Sequence, residues 1–352
     1  MPHTGKYNSA LSKNGLLMAL AIVVLAGTGK TYGQDLQADN MLLYQRSVGG
    51  WPKHIGNQKI DYKKVLTEGE KAELIDDASI NDATIDNDAT NKEIRYLVKA
   101  YRETSNQKYL AAAEKGIRYL LKAQYTNGGW PQFYPDTSIY RSEVTYNDNA
   151  MVNTLNVLND VALKTNGLDV VDPSLVEPAR NAVQKGIDCI LKTQVVVNGK
   201  LTAWCAQYDW RTLQPAKARS YELPSLSGNE SVGIIKFLMH IPHPSPQVKT
   251  AVTSAVEWLT AVEIKGYKFE RVKDSSLQKG SDKLLVPDPS STIWARFYEI
   301  QTNEPFFCGR DGIKKKTVKE IEYERRNGYA WYGTWPREVV GKEYQKWLTK
   351  NS

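Results

Sequence analysis

Cysteine is scarce and unpatterned in this chain. Three occur, Cys189, Cys205 and Cys308, with no CxxC and no Cys/His spacing of a metal site. No multi-bridge disulfide framework or structural zinc is available, and buried thiols are the default reading. Histidine is nearly absent too: four residues, at 3, 54, 240 and 243, form no HExxH. There is no GxSxG, GxxxxGK[ST] or GxGxxG. Serine-esterase, P-loop and zincin chemistry therefore lack their residues. The densest basic cluster, Lys314–Lys316, is explained by a solvated face, so no nucleic-acid partner is expected. Only one long apolar run stands out, Gly15–Ala26, and it is too short for a comfortable membrane span.

That run follows Lys6 and Lys13 and precedes small residues up to about Gly33 and Gln34. A charged start, an apolar middle and a small-residue end describe a secretory signal peptide. Residues 1–33 are set aside as a leader, and 34–352 are expected to form one catalytic domain. The protein is expected to be secreted or periplasmic, free of the membrane after cleavage, with no protein partner evident. The net charge is +7, from 46 basic and 39 acidic side chains, which favours an anionic partner. Aromatics are skewed to 20 Tyr and 9 Trp against 6 Phe. Flat apolar faces with polar handles suit carbohydrate or interface surfaces.

The rest of the chain reads as mainly helical, with few short strands. Ile94, Leu97, Val98 and Tyr101 follow the i, i+3, i+4, i+7 spacing, and Leu110 to Leu121 repeat it. Further helices are expected at Met151–Val161, Val183–Leu191, Ile234–Leu238, Val252–Leu259, and around Ile293, Phe297 and Ile300. Residues 55–83 are polar and irregular. Gly-Gly-Trp-Pro occurs at Gly49–Pro52 and at Gly128–Pro131, with looser echoes at Asn198–Trp204 and Asn327–Pro336. Such spacing matches a repeated helix pair. The segments TIDNDATNKEI, TYNDNAMVNTL, SGNESVGII and PDPSSTIWARF each put Asp, Asn or Ser before an apolar period, as helix N-caps require. Repeated pairs suggest an α/α toroid, complete or partial, whose caps meet at one mouth.

At such a mouth Asp86 and Asp148 would lie together. Each is explained as a cap; together, with Asn87, Asp88 and Asn149 nearby, they supply the hard oxygens that Ca2+ takes. The stretch Thr202–Gly233 is too polar and Pro-broken for a helix, and long irregular segments tend to carry function. It holds Lys217 and Arg219; Arg310 lies in FFCGRDG. An Arg fork fits a carboxylate bidentately. Ion pairs Arg219–Glu222 and Arg310–Asp311 are the structural alternatives.

The motifs NGGWPQFYP, TYNDNAM, AWCAQYD, ARSYELPSLSGNES, RFYEIQTNEPFFCGRDG and GYAWYGTWP together resemble the pectate lyases of polysaccharide lyase family ten, from about Leu36 to Trp347. The resemblance implies an incomplete (α/α)3 toroid. It also implies Ca2+-dependent anti β-elimination on de-esterified polygalacturonate, an acidic polysaccharide that suits the basic pI. By the same resemblance, Asp86 and Asp148 bind Ca2+, Arg219 is the catalytic base, and Arg310 pairs with the substrate carboxylate. Lys217, Trp130 and Asn149 are expected to touch substrate. An arginine base is unusual, because arginine is ordinarily always protonated. The sequence departs from the family pattern at NKEI after DNDAT and at Tyr208, where His is expected; both are expected to shift subsite contacts. The alternatives are another uronate-polysaccharide lyase or hydrolase on an α/α ring, or a carbohydrate-binding capture protein.

Overall fold

Helical periodicity builds most of this chain, and the helices come in pairs. The computed structural model describes residues 34–351, the side chain of Gln278 excepted, so the expected leader lies outside the described residues. Helices α1 (Leu36–Tyr44) and α2 (Glu68–Asp76) come first. Three pairs follow: α3 (Asn91–Thr104) with α4 (Gln107–Ala123), α5 (Ala150–Leu163) with α6 (Val176–Thr193), and α7 (Glu230–His240) with α8 (Pro246–Ala261). Within each pair the helices pack on each other. The first members touch in the order α3–α5–α7, and the second members in the order α4–α6–α8. Short helices α9 (Tyr323–Gly328) and α10 (Tyr344–Asn351) close the chain.

The tryptophan repeat has a physical cause. A buried indole N–H needs an acceptor. Trp51, Trp130, Trp204 and Trp294 are buried, and each indole donates to a helical carbonyl, of Met41, Leu120, Ile190 and Leu259, at 2.7–2.8 Å. Each tryptophan thus ties the loop after one unit to the helix before it. Gln45, Gln124 and Gln194 repeat a second clamp, each bonding a loop carbonyl and a carbonyl of α4, α6 or α8. Trp294 extends the series, and buried Trp331 of the Asn327–Pro336 segment makes the same kind of bond, its indole donating to the Arg325 carbonyl of α9 at 2.9 Å. Two helix-interior glycines serve the same packing. A Cβ on Gly116 would sit 2.7 Å from Ile94 and 2.8 Å from Trp51; one on Gly186 would sit 2.4 Å from Leu155.

Two expectations fail. The segment around Ile293, Phe297 and Ile300 is no helix. Ile293 lies in a hairpin, β1 (Ile264–Lys273) against β2 (Ser281–Ala295), longer than the short strands expected, while Phe297 pairs with Ser227 in a separate short ladder and Ile300 sits in a turn. Pro287 and Pro289 break a helix there, and a spacing of four satisfies period 2 as well as 3.6. Buried Arg326 holds the hairpin by pairing with buried Asp282 at 2.6 Å. Residues 68–76, read as irregular, form α2. This helix buries only Leu74, so it shows no apolar stripe; its signal is the Thr67/Glu70 capping box.

Candidate active site

The two aspartates sit in short turns that precede α3 and α5, and those turns touch. Neither acts as a cap. The N-cap positions are Thr90 and Asn149, and neither carries a side-chain cap bond. Asn229, before α7, carries none either, and PDPSSTIWARF is strand. The backbone instead turns left-handed at Asn87, Asp88 and Thr90, and again at Asp148 and Asn149, with φ between 50° and 68°. For non-glycine residues such a conformation costs free energy, and it tends to persist at functional sites. Here it frees both carboxylates from helix duty.

Asp86 is 2% exposed. Its Oδ2 pairs with Lys53 and accepts from Asn87 at 3.3 Å, while its buried Oδ1 has no hydrogen-bond partner. Asp148 is more open, its side chain 39% exposed, and accepts from Arg296 at 3.4 Å. Partial burial pushes the Asp148 carboxyl up; Arg296 pulls it down, while the Glu230 and Asp86 carboxylates push it up again. The net shift is upward, with burial the largest cause.

Sequence reasoning missed Arg296, although its segment was among the quoted motifs. Arg296 is 6% exposed, pairs with buried Glu230, and lies 4.9 Å over the Tyr329 ring. A signal was available in the tryptophan repeat. Lys53, Gln132 and Arg296 each stand two residues after a clamping tryptophan. Lys53 reaches Asp86 and Arg296 reaches Asp148. Gln132 offers its carbonyl to Thr84 and Ile85, beside Asp86.

Arg219 is held by Glu222 in a bidentate pair, Nε at 2.7 Å and Nη2 at 2.5 Å. Its guanidinium also lies 4.9 Å over Tyr221. Those bonds and the Glu222 charge raise Arg219 above the ordinary arginine range. Burial pushes the Glu222 carboxyl up, but Arg219 outweighs it and the net shift is downward. The Tyr329 hydroxyl donates to Glu222 at 3.0 Å. A chain of contacts thus runs Arg219–Glu222–Tyr329–Arg296–Asp148, polar except where Arg296 lies over the Tyr329 ring, and the turn of Asp148 touches that of Asp86.

The other expected residues divide. Arg310 is exposed and pairs with Glu324 rather than Asp311, which pairs with Lys315. Its charge is felt at Tyr221, the ring beneath Arg219. Lys217 is exposed on the same irregular stretch, without an ion pair among the described residues. Asn149 is exposed beside Asp148. Trp130 does not present a substrate surface: it is 0% exposed, and its indole is spent on Leu120. Tyr208 is likewise core, 1% exposed, its hydroxyl accepting from the Cys205 amide at 2.7 Å. The departure there alters packing rather than a subsite contact.

The family model of pectic acid lyase matches residues 45–340. No curated protein matches. Solved structures are similar as well, two of them as follows. One is a mutant family 10 polysaccharide lyase from Cellvibrio cellulosa in complex with trigalacturonic acid. It is 37% identical, with a TM-score of 0.77, and the match covers 88% of this chain and 92% of that one. The other is a family 10 polysaccharide lyase from the same organism. It is 36% identical, with a TM-score of 0.75, and the match covers 88% and 91%. With a family model spanning most of its length and carboxylates and guanidinium groups linked at the ends of its helix pairs, the chain belongs to the pectic acid lyase family and is a polysaccharide lyase.

Proposed function

We propose that this enzyme cleaves de-esterified polygalacturonate by Ca2+-dependent anti β-elimination, leaving 4,5-unsaturated oligogalacturonides. The helix pairs are read as an incomplete (α/α)3 toroid, residues 34–352 as one catalytic domain, and residues 1–33 as a leader for secretion. The observation that carries the reading is the meeting of Asp86 and Asp148 from separate helix pairs, with one buried Asp86 oxygen unsatisfied and Arg296 at hand.

The donors fit a hard cation. Asp86 and Asp148 offer carboxylate oxygens, and Asn147 and Asn149 stand beside them. Calcium takes six to eight oxygens, so about half the shell is left for substrate and water. Among the described residues no three His, Cys, Asp or Glu gather to close a site. When bound there, calcium would supply charge to the uronate carboxylate and make the C5 proton more acidic.

The protein residues do the rest. Arg310 is exposed, and among the described residues its side chain is tethered only by Glu324, so it is free to swap that partner for a substrate carboxylate. Arg219 is assigned as the base that takes the C5 proton; the C4 oxygen then leaves, and charge that builds on the carboxylate is met by fixed cations. Glu222 holds Arg219 protonated, so the neutral form is a minority that grows with pH. Activity therefore rises toward alkaline pH. Water attacks nothing in this scheme, and the carboxylate pair of a glycosidase is not needed.

The test is ultraviolet absorbance of the conjugated product on polygalacturonate. Absorbance should appear with Ca2+ and vanish with EDTA. Chain shortening without absorbance would make the enzyme a hydrolase, and full activity in EDTA would remove calcium from the scheme.

A further inference from the structure

Helix α5 is buried almost all round. Its only half-exposed positions before the C-terminal Leu163 are Asn153, Asn156 and Asn159. With Asn149 they line an open trough of about 740 Å³, shared with Arg95 of α3 and with Lys236 and His240 of α7. At 1.5 Å per residue, the 14 residues of α5 make the trough about 20 Å long. It starts at Asn149, next to Asp148, so it opens directly from the candidate active site.

The charges in the trough are already satisfied. Arg95 pairs with Asp160 at 2.6 Å, Lys236 with Glu343 at 3.0 Å, and His240 Nδ1 meets the Lys236 carbonyl at 2.6 Å. Asn153 is engaged by Asp88. The amides of Asn149, Asn156 and Asn159 have no hydrogen-bond partner among the described residues. Asparagine is a weaker helix former than alanine, so three of them on one face of α5 are not explained by helix propensity. Opposite Asn149, α7 carries Gly233, where a Cβ would lie 2.1 Å from the Asn149 Oδ1. Room is therefore kept for that amide. Val152 and Phe237 supply apolar wall between the polar groups.

We propose that this trough is a second carbohydrate subsite, and that it takes uncharged sugar units. Each free amide offers two donors and one acceptor, the complement of vicinal hydroxyls or an ester carbonyl. No uncompensated cation is present to favour a carboxylate. The ligand is either a methyl-esterified galacturonate stretch or a neutral sugar attached to the polymer. The proposal rests on the pectic reading of the adjoining site, but its test needs no turnover.

Binding is measured by calorimetry in EDTA. The ligands are a neutral galactan oligosaccharide, a fully methyl-esterified oligogalacturonate and its de-esterified counterpart. Wild-type protein should bind at least one of the uncharged ligands, and which one identifies the source. The double variant N156A/N159A, which removes two hydrogen bonds, should weaken that binding at least about fivefold. Its elimination rate on a de-esterified trimer should stay within about twofold of wild type. The isosteric pair N156D/N159D separates charge from shape. Loss of de-esterified binding in that variant, with uncharged binding intact, would overturn the proposal. So would failure of both uncharged ligands to bind wild type, or unchanged binding in N156A/N159A. Elimination on polygalacturonate, measured in parallel, reports separately on the adjoining site.

Discussion

Replacing Glu222 by glutamine perturbs the proposed base without changing the shape around it. Glu222 accepts from Arg219 Nε at 2.7 Å, Arg219 Nη2 at 2.5 Å, the Arg219 amide at 3.2 Å and the Tyr329 hydroxyl at 3.0 Å. All four partners are donors. The amide keeps one oxygen but turns its NH2 toward a donor, so at least one bond is lost and the others lose their charge. A hydrogen bond to a charged group contributes about 1.5–3 kcal/mol. The Arg219 side chain is 45% exposed, so solvent screening places the loss near the lower end. A loss of about 1.5–2 kcal/mol in positioning corresponds to a fall in kcat/KM of roughly ten- to thirtyfold. A second effect runs the other way. Without the carboxylate, Arg219 gives up its proton more readily, and the alkaline rise in activity moves to lower pH. Initial rates of unsaturated-product formation from pH 7 to 11 would separate the two. A Glu222→Gln variant with wild-type kcat/KM and an unshifted profile would refute the assignment of Arg219 as a base gripped by Glu222.

Two further outcomes concern stability. Arg296→Ala should cost about 3–5 kcal/mol in urea unfolding at pH 8, because Glu230, 1% exposed, is left with an unpaired buried charge. The double change Arg296→Met/Glu230→Leu should recover most of it, since neither charge then remains. Glu93 is fully buried, and burial pushes its carboxyl from 4.5 up to about 7 against the pull of Lys92 and Tyr62. The folded state therefore holds this proton more tightly than the unfolded state. Stability from this group is complete below about pH 4.5 and is lost as pH rises through about 7. Glu93→Gln should remove a decline on the order of 3 kcal/mol between pH 4.5 and 8; an unchanged slope would show that Glu93 is not its source.

Much of the fold was legible in the residues, for identifiable reasons. Helices α3 to α8 have long apolar stripes, and those stripes were read correctly. Helix α2 was hidden because only Leu74 is buried, and the hairpin was hidden because Ile293 and Phe297 fit two periods at once. The tryptophan repeat was visible, but its cause, an indole clamped to a helical carbonyl, was not. Exposure could not be read from residue type: Trp130 was assigned to substrate and is core. Asp86 and Asp148 stand out in their motifs as expected Ca2+ ligands, but the sequence also explains each as a cap, because Asp before an apolar period usually is one. Only the left-handed backbone at Asn87 and Asp148 shows that they are released from that duty. Arg296 has no local signature: it falls in a stretch expected to be helical and in fact follows a strand. Its link to Asp148 spans 148 positions in sequence, and only the three-dimensional fold makes it.

The central claim is that Asp86 and Asp148 hold one calcium ion between the protein and a uronate carboxylate. Calorimetric binding of trigalacturonate, with and without Ca2+, tests it directly on wild type, Asp86→Asn and Asp148→Asn. The account predicts that Ca2+ tightens binding in wild type and has no effect in either variant. A full calcium effect retained by Asp86→Asn or by Asp148→Asn would contradict it.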